Sequence, residues 1–173
     1  PKSTVNIMIY GDTKYDAKEA FAFKALGDVL TIKLVEELRE NESGVYGVGA
    51  RGSMNKVPYG SYNFSISFPC GPENAEKLTE SALRELNKLI TNGPEQKDLD
   101  KFKEASRLEY KENLKENRYW MALLKRAYTE DVNPEEVFQF EEKLNALTVK
   151  DLQDIAKKYL SKDKVIGMLM PEE

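Results

Sequence analysis

Apolar and polar positions along this chain change period several times, and each change marks a predicted element. Val5, Ile7 and Ile9 alternate with Asn6, Met8 and Tyr10, the period of a half-buried strand, which Gly11 and Asp12 close. From about Asp16 to Glu40 the period becomes helical. Ala22, Leu26, Leu30, Leu34 and Leu38 recur every fourth residue, with Phe23 and Val29 widening the stripe. Gly44 lies just past that helix, where a left-handed residue is expected. A hairpin is predicted next. Its first strand starts at Tyr46, with Tyr46, Val48 and Ala50 opposite Gly47, Gly49 and Arg51. After a turn around Asn55 to Gly60, Tyr62, Phe64, Ile66 and Phe68 point one way and Ser61, Asn63, Ser65 and Ser67 the other. That pattern describes an antiparallel strand with one packed face and one wet face. The wet face carries small polar groups and no lysine or glutamate, so a chain or ligand can lie against it.

Pro69 to Pro72 break the sheet, and helical periods dominate to about Leu160. Gly93-Pro94 separates the first two helices. Asn133-Pro134 opens another, after an aromatic-rich stretch with Tyr119, Trp120, Leu123, Leu124 and Ala127. Thr148-Val149-Lys150-Asp151 resembles a capping box with Asp in place of Glu. It precedes a short helix with Leu152, Ile155, Ala156 and Tyr159 on one face. Val165 to Met170 reads as a last strand. The order strand, helix, hairpin, several helices, strand predicts an α+β fold, a two-layer sandwich of one mixed or antiparallel sheet backed by helices. No repeat, low-complexity stretch or linker divides residues 1–173, which read as a single domain.

Composition narrows the function. The 173 residues are enough to bury about 70% of the unfolded surface. A net charge of −4 with no basic cluster argues against a nucleic-acid or anionic-membrane surface. The longest apolar runs fall short of the ~20 residues of a membrane-spanning helix. Cys70 is the only cysteine, expected as a small packed or turn residue. The chain starts at Pro1, without a methionine or signal-like segment, which suggests a piece excised from a longer protein.

Several candidate sites weaken on inspection. Gly47 to Gly52 matches G-x-G-x-x-G, but it follows a helix and lies in a strand, the reverse of a dinucleotide fingerprint. Small residues beside a passing backbone account for it better. Glu36, Glu37, Glu40 and Glu42 read as a solvated helix end rather than an acid–base pair. With no histidine and one cysteine, the chain lacks a convincing zinc ligand set and a base for a nucleophilic triad. Arg39 and Tyr46 remain. One account makes Arg39 the cation that completes a helix C-terminus and Tyr46 a half-buried strand aromatic. Another makes them donors for a carbonyl oxygen or oxyanion.

The run Leu38-Arg39-Glu40 through Tyr46-Gly47-Val48 resembles the helix–turn–strand segment in the C-terminal half of pitrilysin/insulinase-type zinc peptidases. The likeness continues through Phe68-Pro69-Cys70-Gly71-Pro72-Glu73-Asn74-Ala75 and the stretch from Leu147 to Leu160. One departure stands out: the family's glycine often sits four places after the arginine, where this chain has Ser43 followed by Gly44. The resemblance implies a C-terminal, non-zinc-binding domain of a longer protein. Zinc would be held by a missing N-terminal half carrying His-x-x-Glu-His. Arg39 and Tyr46 would contact the substrate carbonyl and oxyanion, and Ser61, Asn63, Ser65 and Ser67 would face an unfolded peptide substrate. The expected partner is the N-terminal catalytic half or a partner subunit, in the periplasm, cell envelope or cytoplasm of a bacterium. A non-catalytic, peptide-binding partner subunit of the same family is the second expectation. A small-molecule-binding α+β module is the third.

Overall fold

A computed structural model of the chain describes residues 2–172. Strand β1 (Ser3–Asp12) follows the alternation, with Val5, Ile7 and Ile9 buried on one face. Asp16 then caps helix α1 (Ala17–Leu34), its carboxylate accepting from the Glu19 N–H at 2.8 Å. The leucine stripe is buried along its whole length, Leu38 included. The helix does not stay α to its end. From Val35 to Asn41 it widens into a π-helix, closed by the Glu42 N–H donating to the Glu37 carbonyl at 3.0 Å.

Strands β2 (Gly49–Asn55), β3 (Ser61–Cys70) and β4 (Val165–Leu169) join β1 in a sheet of order β2-β3-β1-β4. Every pairing is antiparallel, so of the two sheet types expected only one is realised. The predicted faces of β3 hold. Tyr62, Phe64, Ile66 and Phe68 are buried, while Ser61, Asn63 and Ser65 are half-buried and Ser67 exposed. Helices α1, α2 (Ala75–Asn92) and α6 (Val149–Leu160) form the second layer against the buried face. Helix α3 (Gln96–Asn113) packs on α1, and α4 (Asn117–Glu130) and α5 (Phe140–Ala146) lie further out. The punctuation is read correctly: Gly93 ends α2 with φ 75°, and Thr148 with Asp151 forms a reciprocal capping box. Cys70 is buried, which pushes its thiol pKa up.

Three boundaries differ from expectation. The left-handed residue after the first helix is Ser43 (φ 51°), not Gly44. Gly44 is instead needed for space, since a Cβ there would come within 2.7 Å of Leu78. The second strand begins at Gly49, three residues later than the alternation suggests. The last strand ends at Leu169, one residue early.

Helix and sheet backbones pack closely where α1 crosses β2. A Cβ on Gly27 would come within 2.7 Å of the Gly52 backbone nitrogen, and one on Gly52 within 2.2 Å of the Phe23 carbonyl oxygen. The two backbones touch because neither residue has a side chain. Thr31 completes the crossing, accepting from the Ala50 N–H at 2.8 Å and lying 3.2 Å from the Ala50 carbonyl. Of the glycine-rich string, Gly52 serves this packing, whereas a Cβ on Gly47 or Gly49 would meet nothing within 4 Å. Gly52→Ala is expected to destabilise the chain by about 1–3 kcal/mol in urea denaturation, as overpacking against fixed backbone does. A loss below about 0.5 kcal/mol would show that the crossing has room to relax.

Candidate functional site

A bulge creates the candidate site. Val45 bridges Cys70, and Gly49 pairs with Ser67, so three residues (Tyr46, Gly47, Val48) face two (Phe68, Pro69). The reason lies in Pro69. Thr31 takes the Ala50 N–H and carbonyl, so Ala50 faces away from β3; by alternation Gly49, Arg51 and Ser53 face it, and so do Ser67 and Ser65 in return. Pro69 comes next in that series and has no N–H to give. The ladder fails there, and the extra residue bulges out. Tyr46 consequently leaves the sheet with 86% of its surface exposed, and it is not the half-buried strand aromatic the alternation suggested.

Arg39 stands on the other side of the Ser43 turn, exposed in the last turn of the π-helix. The wide helix keeps Leu38 in the core while Arg39 and Glu40 face solvent. Among the described residues neither the Arg39 guanidinium nor the Tyr46 hydroxyl has a side-chain partner, so both donors are free to meet a ligand. The Lys2 ammonium lies 5.9 Å from the Tyr46 ring centroid, a cation–π distance. Nothing in the sequence pattern pointed to Lys2. Pro69 was the signal that could have found the bulge.

The acidic residues around Arg39 act as staples. Glu37 meets Arg84 at 3.2 Å, and Glu42 meets Lys77 at 3.1 Å and Arg84 at 3.7 Å, tying the π-helix to α2. The Asn41 amide and then Arg84 hold the Glu37 carboxyl below its usual range; the Ser81 hydroxyl and Lys77 do the same for Glu42. One turn earlier, Lys33 joins Glu36 (3.3 Å), Glu95 (2.6 Å) and the fully buried Asp98 (3.5 Å). Although burial opposes it, Glu95, Asp98 and Glu36 push the Lys33 pKa upward, and Lys33 with Lys97 holds Glu95 down to about 2.

The four β3 positions expected to face a peptide form one row on the outer sheet face. They do not make a uniform polar carpet, because Arg51 and Met8 flank Ser65 and Tyr10 flanks Asn63. Ser67, opposite Gly49, is nearest in register to Tyr46, and Ser61 is the far end of the row. Beyond the edge of β2 lies a cleft of about 640 Å³ between α1 and α4, lined by Phe21, Gly52, Met54, Leu123, Arg126 and Phe140 among others. The alternation that turns Ala50 outward also turns the N–H and carbonyl groups of Gly52 and Met54 toward this cleft.

Zinc does not fit the residues present. The chain has no histidine, and the described residues contain no group of three or more His, Cys, Asp or Glu able to hold a metal ion.

A four-stranded antiparallel sheet of order β2-β3-β1-β4 backed by helices on one face defines a two-layer α+β class. Residues 1–106 match the family described as the peptidase M16 inactive domain. The chain belongs to that family. It is 24% identical over 162 residues to the "Probable zinc protease PqqL" of Haemophilus influenzae, covering 94% of this chain and 17% of that protein. The periplasmic protease PqqL from Escherichia coli has the same fold over 99% of this chain and 19% of its own, with a TM-score of 0.80 at 21% identity. A peptidase M16 inactive domain from Pseudomonas fluorescens matches over 96% of this chain and 40% of its own, with a TM-score of 0.78 at 20% identity. The chain thus spans less than a fifth of the length of the PqqL proteins it resembles.

The three depressed carboxyls fix the sign of the pH response. Each folded-state pKa lies below the usual 4.5, so its contribution is complete above that value and disappears as pH falls through the folded value. The urea midpoint should be flat from pH 7 to about 5 and fall steadily toward pH 3. Glu42→Gln should lower the midpoint at pH 7 and soften the fall. A midpoint that rises on acidification would contradict this account.

Proposed function

We propose that residues 1–173 form the C-terminal, non-zinc-binding domain of a longer zinc endopeptidase that hydrolyses unfolded peptides. The observation that carries this reading is the bulge, which expels Tyr46 into solvent, while Arg39 is exposed on the other side of the Ser43 turn. A large aromatic so exposed contributes little to the core and is suited to contact something outside the domain. Membership of the inactive-domain family, with matches to zinc proteases several times longer, supports placing the metal in a separate N-terminal half or partner subunit. Bound there, zinc would supply an activated water. This chain is expected to be inactive by itself.

The part left to this chain is to hold the substrate. Arg39 and Tyr46 donate to the scissile carbonyl oxygen and to the negative charge that grows on it as the carbonyl becomes tetrahedral. Donors already in place when that charge forms stabilise it most strongly where water is excluded. Extended peptide is gripped through its backbone, along the serine row or the β2 edge, which favours unfolded chains over folded ones. The outward main-chain groups of Met54 beside the cleft support this mode at the far end of the β2 edge. A periplasmic site is the favoured compartment, by analogy with the Escherichia coli protein.

The test is cleavage of a quenched fluorescent peptide by the full-length protein. Chelation should abolish it, and the 173-residue chain should show none. Tyr46→Phe should lower kcat about 100-fold with KM within a few-fold, because one oxyanion donor is lost. Its melting temperature should stay within about 1 °C of wild type, since the ring is exposed. Full activity in Tyr46→Phe would remove the oxyanion role. Absence of chelator-sensitive cleavage by folded full-length protein would assign the chain to a non-catalytic partner subunit.

A further inference from the structure

The two edges of the sheet are treated differently. At β2 the outward backbone of Ala50 is capped by Thr31, and α1 lies against Gly52. At β4 nothing comparable is present among the described residues. All five residues of Val165–Leu169 are exposed. The register shows which main-chain groups are open. Ala50 faces away from β3, so its opposite residue Ile66 faces β1 and bonds with Ile7; Ile7 therefore faces away from β4. Its opposite residue there, Ile166, consequently points its N–H and carbonyl outward, and Met168 does the same two residues on. Val165, Gly167 and Leu169 are the residues that pair with β1.

The side chains tell the same story. Ile166 and Met168 lie on the helix side of the sheet, opposite the fully buried Ile7 and Val5, yet they are 42% and 37% exposed because the helix layer stops short of them. On the other side Val165, Leu169 and Met8 are also open. The strand holds no charge, no proline and no bulge, the usual devices that stop an edge from pairing. Both ends of the chain leave at this corner: Thr4 is opposite Leu169, and the Ser3 hydroxyl meets the Met170 sulfur at 3.3 Å.

We infer that the β4 edge is an assembly surface, completed by an extended segment of the longer polypeptide in which this chain works. That segment adds as a fifth strand, bonding to the backbone of Ile166 and Met168, and places uncharged apolar side chains over their exposed faces. The occupant follows from placement and length. The PqqL relatives are more than five times as long as the region they share with this chain, and polypeptide running on from either end starts beside β4. A strand tethered there acts at high effective concentration. The inference rests on the chain belonging to a longer protein, but not on that protein being a peptidase.

Amide hydrogen exchange, resolved residue by residue, tests it. In the 173-residue chain, Ile166 and Met168 should exchange at least 100-fold faster than Val165, Gly167 and Leu169 in the same strand. In the full-length protein all five should be protected alike. In that protein Ile166→Lys should restore fast exchange at Met168, while the melting temperature of the 173-residue chain carrying the same change moves by less than about 2 °C. Fast exchange of Ile166 and Met168 in the full-length protein overturns the inference. Protection in the 173-residue chain that grows with its concentration also overturns it, and assigns the edge to a second copy. Chelator-sensitive peptidase activity is scored separately. Active protein with an open edge would reject the fifth strand alone, and inactive protein with a protected edge would reject the peptidase reading alone.

Discussion

The approach of α1 to β2 constrains the rest of the molecule. Two glycines, Gly27 and Gly52, let helix and strand backbones touch, and Thr31 takes the outward polar groups of Ala50. Once Ala50 is turned toward Thr31, the facing of every other backbone group in the sheet follows by alternation, through β3 and β1 to β4. Removing the glycines' freedom would therefore alter more than one contact.

The candidate site is a consequence of that order meeting a proline. Pro69 falls at a position whose N–H should serve β2, and it has none to give. The ladder is interrupted between Val45 and Gly49, and Tyr46 is directed outward. On the other side of the turn, the widened end of the first helix keeps Leu38 in the core and presents Arg39. The carboxylates nearby, Glu37 and Glu42, are occupied with Arg84 and Lys77. They anchor the platform and leave the arginine free. Two departures from regular structure thus coincide at one place, and such departures concentrate at functional sites.

The sheet divides its faces and edges by task. One face is packed by helices, and the other carries the serine row with Arg51, Met8 and Tyr10 among it. One edge borders a cleft, and the other ends in an uncapped apolar strand. A domain that worked alone would gain nothing from an open apolar edge, which invites unwanted pairing. As one part of a larger protein, the same edge becomes a joint.

Much of this was legible in the sequence because it is periodic or local. The alternation of β1 and β3, the leucine stripe of the first helix, the Gly93 stop and the Thr148 cap each depend on neighbours within a few residues, and each appears where expected. The α+β class followed from their order, and the resemblance around Arg39 and Tyr46 supplied the candidate site residues. What the pattern could not supply depends on contacts between distant segments. Tyr46 sits in an apparent strand alternation, but its exposure is decided by Pro69 across the sheet. Ser43 rather than Gly44 takes the left-handed turn, and Gly44 instead lies against Leu78 of the next helix. Val165 to Met170 reads from the sequence simply as a last strand. Only the extent of the helix layer shows that it remains uncovered, since periodicity fixes which side a residue faces and tertiary packing decides whether anything lies there.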